Sequence, residues 1–403
     1  MGVQVAMLMG DTAERSRAAL ELIAQAQAAN IQKISDWYTL KRIIQTGAGK
    51  QYFPIGTQLT EAWKESAEGT EYQAPWDVMH HYANGDMALA WHWTHPTGVP
   101  FDQPEAIYYA PADGLAAGQY YIPIGFNYGD GWKAGHNINF TLSEAMDAGD
   151  QLVLSTATNA ANDPTNGMTW NVYAKGSTES KQSGVTSDSD TGTALDGTST
   201  TGAGYTNGQT NAPQRVVYGY NRWAQSAIRQ WLNSAAAAGA WWTAQNAWDR
   251  PPAVAATLRG FLAGYGADFL ETIQPVAVVT ARNTVEGAEE ATETTYDKIF
   301  LPSLTQMYVN QQYQEDEPWD YYVELAKEIG LTGRFGTGGS NVYEVLKKYP
   351  INNQTVSVHS WLRSAHRGYA YSAWSVASAG GVSNYGAGPA GRGCPACIIQ
   401  ASA

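Results

Sequence analysis

Eight short runs between Tyr52 and Gly176 constrain this chain more than any other feature: "YFPIGTQL", "YQAPWDVMHHY", "MALAWHWTHP", "EAIYYAP", "QYYIPIGF", "HNINFTLS", "DQLVLST" and "TWNVYAKG". Each is rich in Tyr, Trp, Val or Ile and is closed off by Gly, Pro, Asn or Asp. Such residues fit a pleated, half-buried surface, and the punctuating residues supply turns, so the pattern specifies strands and a region of sandwich type. "ANGD" at 83–86 supplies a hairpin turn between two of them. The following stretch, 177–213, is dominated by Ser, Thr, Gly and Asn and reads as a long flexible loop.

Helical signals flank this region. Residues 11–46 read as one helix, with Asp11 as N-cap, Glu14 three positions on, and a thin apolar stripe of Leu20, Ile23, Ile31 and Ile34. That stripe cannot form a core alone, so residues 1–46 are expected either to pack on the body or to tether and oligomerise the protein. Further on, Trp223, Ala227, Ile228, Trp231 and Leu232 share a helical face. "AVAATLRGFLAGY" and "PWDYYVELAKEIG" read as helices too, the latter opened by Pro318. "PVAVVTARNTV", "KIFLPS", "VSVHSWLRSA", "AWSVAS" and "PACIIQ" read as strands, which makes the expected class α+β.

Charge removes several functions. With 24 Lys and Arg against 37 Asp and Glu, the net charge of −13 leaves no basic stripe for nucleic acid. No run of 18 apolar residues offers a membrane span, and "MGVQVAMLMGDTAERSR" lacks the basic start and long apolar run of a signal peptide. The two cysteines, Cys394 and Cys397, make no disulfide framework and at most half a zinc site, so they read as small buried residues. His80, His81, His92 and His95 fall close together, but strand residues three apart point to opposite faces, so no metal is expected there. "EGAEEATE" and "QEDEP" read as solvated acidic loops. Nucleophile-elbow, Walker and dinucleotide patterns are absent, and "GTGGSN" at 336–341 lacks a phosphate-binding Lys. Neither an enzyme nor a cofactor is indicated.

The remaining candidate is the C-terminal stretch. Of the 28 residues from His366 to Gly393, 20 are Gly, Ala, Ser or Tyr. Tyrosine gives contact area with few rotors to freeze, and Ser, Gly and Asn give adaptable hydrogen bonding, as in antibody loops. Arg367, Trp374, Val376, Val382 and Arg392 interrupt the stretch as anchors, with Trp374, Val376 and Val382 expected in a core. The 15 Trp and 24 Tyr against 8 Phe fit both a strand-rich fold and a binding surface.

"YGYNRWAQSAIRQWLNS", "WWTAQNAWDRPP", "ADFLETIQPV", "TTYDKIFLPSLTQMY", "WLRSAHRGYAYSAWSV" and "CPACII" resemble the DUF6273 type of phage and gut-bacterial proteins, from about Trp37 to the end. Members are similar to the variable proteins of diversity-generating retroelements, which display a C-type lectin fold related to the formylglycine-generating enzymes. The resemblance implies a C-type lectin-like domain over 47–403, with a β-rich module inserted at about 101–176 and a buried "WLRSA" turn in which Arg363 is paired internally. In such systems adenine-directed mutagenesis turns Asn codons into many others, but never into Lys, Glu, Gln, Met or Trp codons. The implied variable, ligand-binding positions are His366, Tyr369, Tyr371, Ser372, Ser375, Ala377, Ala379, Gly381, Ser383, Asn384, Tyr385, Gly386, Gly388, Pro389 and Gly391. No calcium-ligand set of sugar-binding lectins is evident. The expected function is a receptor-binding display protein of a phage particle, or of a bacterial surface. Its partners would be a host-surface receptor, other virion proteins and copies of itself, with a trimer favoured. A fixed-specificity glycan-binding module using the Trp and His of "AWHWTH" is the alternative. A formylglycine-type oxidase would need a pair of reactive cysteines.

Overall fold

The computed structural model describes residues 36–124, 135–154, 166–187, 191–195, 215–284, 291–310, 313–338, 341, 343 and 345–402. One antiparallel sheet joins β1 (Gln58–Lys64), β2 (Glu71–His81), β3 (Met87–Trp91) and, from the far end of the chain, β18 (Ala396–Ile399). The β2–β3 turn forms where "ANGD" placed it: Gly85 takes φ 92° and donates its N–H to Tyr82 O at 2.9 Å. A second sheet runs in the order β16 (Val382–Gly386), β15 (Ser372–Val376), β14 (Ser360–Ala365), β17 (Ala390–Gly393) and β4 (Val99–Pro100). Every residue of β14 is buried, so "WLRSA" is a strand at the middle of a sheet and not a turn. A hairpin of β12 (Val276–Ala281) and β13 (Thr292–Asp297) completes the body.

A large aromatic core fills the space between these sheets, with Trp63, Trp76, Trp91, Trp223, Trp231, Trp319 and Trp361 fully buried. Short helices close it: α1 (Trp37–Gln45), α2 (Gly49–Tyr52), α4 (Ala227–Leu232), α5 (Ala267–Thr272) and α6 (Asp320–Glu328), while α3 (Arg215–Tyr218) places Val216 in the core of the module.

A second core belongs to the module. It gathers Ile107, Ile122, Ile138, Phe140, Leu152, Leu154, Trp170, Val172, Leu195 and Val216. One sheet orders β10 (Ser180–Val185), β9 (Thr169–Tyr173), β8 (Gln151–Leu154) and β5 (Tyr108–Tyr109); the other orders β11 (Thr193–Ala194), β6 (Gly118–Pro123) and β7 (Asn137–Leu142).

These observations correct the expected class. The chain is mostly β-sheet, in several small sheets with few helices, and no C-type lectin fold is indicated. The helical periodicities are real but short. Ser226 caps α4 through its side chain and Asn233 ends it after six residues, while "AVAATLRGFLAGY" breaks into two 3-10 turns. Tertiary burial, not propensity, decides such segments.

The long N-terminal helix is also revised. Asp36, extended at φ −154°, caps a new helix by accepting from Tyr38 N and Thr39 N. Trp37, Leu40, Ile43 and Ile44 then bury themselves in the body core, so residues 37–46 are part of the body. Residues 1–35, with Asp11, Glu14 and the expected stripe, lie outside the described residues. The module likewise reaches past 176, because β10 and β11 come from the stretch read as a loop; residues 196–214 are outside the described ones.

Candidate functional site

The C-terminal stretch is built on β14. Arg363 is 0% exposed, and its guanidinium donates to Thr280 Oγ1, Leu301 O, Gln306 Oε1 and Val279 O. Glu315 is buried nearby and accepts from Ala281 N and Ser364 Oγ, each at under 3 Å. Burial lowers the Arg363 pKa and raises that of Glu315, and the opposite charge of each works against that shift in the other. Glu315 comes from "QEDEP", so one residue of that supposedly solvated loop is a buried structural carboxyl.

Asn221 fixes the loop that follows. Its Nδ2 lies 3.2, 2.6 and 2.7 Å from the carbonyls of His366, Tyr369 and Ser372, and its own N–H donates to Ala370 O. Asn283 Nδ2 in turn donates to Asn221 Oδ1 at 3.0 Å. A single buried amide therefore organises residues 366–372. Asn221 is not among the residues that the sequence singles out.

Held in this way, the rings form a run. Trp374 stacks on His366 at 5.3 Å, His366 on Tyr369 at 4.4 Å, Tyr369 lies 5.3 Å from Tyr371, and Tyr371 lies 5.0 Å from Tyr218 of α3. The two His366 contacts are stacked, at 25° and 26°, whereas the Tyr369–Tyr371 and Tyr371–Tyr218 contacts are tilted, at 38° and 33°. Tyr385, 42% exposed, stands apart on β16, stacked on His359 at 4.6 Å. Burial lowers the pKa of both His359 and His366. Arg367 places its guanidinium 4.6 Å from the Tyr313 ring, Arg392 donates to Pro96 O at 2.7 Å, and the stretch 366–393 contains no Asp or Glu.

The fifteen expected positions divide by exposure. Ala379, Tyr385 and Pro389 are exposed, and His366, Tyr369, Tyr371, Ala377, Ser383, Asn384, Gly386 and Gly388 are half-buried. Ser372, Ser375, Gly381 and Gly391 are buried, so a displayed role is closed to them. Gly391 lies under the Trp361 indole, where an added Cβ would come within 2.3 Å of Nε1. A Cβ at Gly388 would meet Pro104 Cδ at 3.0 Å, whereas at Gly386 its nearest neighbour would be Tyr218 Cβ at 3.4 Å. The anchors Trp374, Val376 and Val382 are in the core.

The other singled-out groups are engaged elsewhere. His92 Nδ1 donates to Asp77 Oδ2 at 2.8 Å, and the buried Lys347 ammonium pairs with the same carboxylate, so the network neutralises itself. His95 is buried against Trp231, with Nδ1 on Thr97 O. His80 meets Glu317 and Asp320 at 3.2 Å, and His81 Nε2 donates to Phe53 O. Among the described residues no group of three or more His, Cys, Asp or Glu is arranged to hold a metal. Cys394 and Cys397 are free and buried, and burial raises the Cys394 thiol to about 12. No helix among the described residues is long and apolar enough to cross a membrane.

Residues 204–401, just under half of the chain, match the family model described as Domain of unknown function (DUF6273). That span holds β12 to β18 and the whole C-terminal stretch, but not β3, on which β18 pairs, nor most of the module. No curated protein and no solved structure matches the chain.

Proposed function

We propose that this chain is a binding protein that meets its ligand through the β15–β16 hairpin and the ring run beside it, in the setting of a phage particle or bacterial surface. One observation carries the reading: a run of aromatic rings with no carboxylate in the stretch is held from behind by Asn221 and Arg363, which are themselves buried. Rigid aromatic contacts with small neighbours suit recognition and offer little to acid–base chemistry. Diversification by a retroelement is compatible with His366, Tyr369, Tyr371, Ala377, Ala379, Ser383, Asn384, Tyr385, Gly386 and Pro389. It would leave the buried Ser372, Ser375, Gly381 and Gly391 unchanged. The partner on this reading is a receptor on a host cell, and weak single contacts gain strength from repeated copies.

The test replaces Tyr369, Tyr371 and Tyr385 together by Ala and measures binding of labelled protein to a panel of intact bacterial cells by flow cytometry. Binding should be lost while the thermal transition is kept; unchanged binding by the folded variant rejects the surface. A fixed glycan site at His92 and Trp93 would instead keep binding after residues 366–391 are scrambled.

A further inference from the structure

The joint between module and body holds an excess of buried acid. The chain enters the module through residues 101–107 and leaves it through α3, and these crossings carry Asp102, Glu105 and Arg215, while the body adds Asp249. Asp102 is 1% exposed, Glu105 0% and Asp249 2%. Arg215 pairs with Glu105 and lies 3.4 Å from the centroid of the Tyr220 ring. Asn246 Nδ2 donates to Glu105 Oε1 at 3.1 Å. Asp249 accepts the N–H groups of Gln245 and Arg250. Asp102 Oδ1 accepts from Gln103 N, but Oδ2 is buried with no hydrogen-bond partner among the described residues. The other guanidinium at the joint, Arg250, lies over the Tyr173 ring at 4.0 Å.

Arg215 balances Glu105, and with Arg250 turned to the Tyr173 ring the described residues still leave three buried carboxyls to two guanidiniums, so at least one further bare charge would cost more than holding a proton. Burial first, and neighbouring carboxylates after it, raise the pKa of Asp102 and bring that of Asp249 up to about 7.

The same joint touches the candidate surface. Asp102 N donates to Ala387 O at 3.1 Å, Gly388 N donates to Tyr218 O at 2.6 Å, and the Tyr218 ring ends the run on Tyr371. Gly219, at φ 84°, lets the strands touch: a Cβ there would lie 2.3 Å from Asp102 O and 2.8 Å from Gly388 N.

We propose that Asp102, Glu105, Asp249 and Arg215 form a pH-sensitive joint, closed when the cluster holds protons and loosened when it loses them, which carries Tyr218 and residues 387–388 with it. Acids whose folded pKa is raised favour the closed form below their ordinary range, and that contribution is lost as pH rises through about 7. Any effect on binding rests on the reading of the surface given above; the joint itself does not.

The experiment is hydrogen exchange of the intact protein at the amides of Asp102, Ala387 and Gly388, corrected for intrinsic rates, at about pH 6 and about pH 8.5. A group near 7 when closed and near its ordinary value when open makes the open fraction rise about tenfold over that range, while β2–β3 amides keep their protection. The D102N/D249N double variant, which mimics the protonated cluster, should remove the pH dependence. A flat wild-type profile overturns the joint, and so does a tenfold loss that persists in the folded double variant. If that variant misfolds, the wild-type profile against the β2–β3 amides decides alone. Binding of wild-type protein to the cell panel at both pH values separates the two ideas: flat binding with shifting exchange keeps the joint and rejects its coupling to the surface, which stands or falls on the tyrosine triple variant.

Discussion

The body and the module both rest on tryptophan across from glycine, yet they use the indole differently. In the body the ring is a tie between distant parts of the chain: Trp63 Nε1 donates to Phe261 O, Trp231 to Arg259 O, Trp223 to Asp297 and Trp361 to Val99 O. In the module the Trp170 N–H is buried with no partner among the described residues, as is that of Trp76 alone among the fully buried body tryptophans, and the Trp170 ring packs beside Phe140 under an edge strand. The body is therefore cross-braced by directional bonds, whereas the module is held by strand pairing and a smaller apolar core. The tryptophan count thus reports how many segments must be tied together, more than how much surface is reserved for a ligand.

The sharpest way to break this comparison is Arg363→Ala. It leaves Gln306, Glu315 and two backbone carbonyls facing a buried gap, and should cost the body about 3–5 kcal/mol, as for removal of one partner from a buried ionic network. Chemical denaturation followed by exchange should show the β14 amides exposed early, with the β6–β7 amides keeping their protection. Simultaneous loss in both would mean that the two cores unfold as one.

A matched pair comes next. Gly391 under Trp361 and Gly184 under Trp170 would each drive a Cβ into an indole, at 2.3 Å and 2.4 Å. Gly391→Ala should destabilise by about 1–3 kcal/mol, because β17 is held between β14 and β4 and cannot step aside. Gly184→Ala should cost less, since β10 is an edge strand with alternate residues in solvent. Equal losses of thermal stability would remove the distinction between a braced and a yielding core.

How far the fold could be read in advance follows the same division. Local signals held where they were short: the Gly85 turn, the strands of 71–91, and the anchors Trp374, Val376 and Val382. Longer inferences failed where distant partners decide. Nothing near Asp36 announces that Trp37 will meet Phe269 and draw Trp37–Gln45 into the body core. Nothing in "QEDEP" distinguishes Glu315, which faces Arg363, from Glu317, which does not. Within 366–391, composition could not separate Ser375, buried beside Trp361 in register, from Ser383 on the next strand, which stays half open. Asn221, the residue that most directly shapes the loop, carried no signal, because an Asn before a helical run is an ordinary cap.

The smallest effect tests the proposed binding surface. Ala379 sits at the tip of the β15–β16 turn, where Gly380 N donates to Ala377 O and Ala377 N to Gly381 O, so the turn is closed by backbone bonds that no side chain at 379 can alter. Ala379→Tyr should therefore change stability by no more than about 0.5 kcal/mol, the range for an exposed site free of special contacts. The same substitution places a new ring at the turn end of the hairpin, opposite the Ser372–Gly386 end that adjoins the ring run. Binding to cells should therefore change in strength or in range of targets only if the ligand spans the whole hairpin. A neutral melting curve with altered binding is the pattern of a tolerant surface on a braced scaffold. A destabilised variant would mean that the turn is packed against something and that the stretch is less free to vary than its composition suggests.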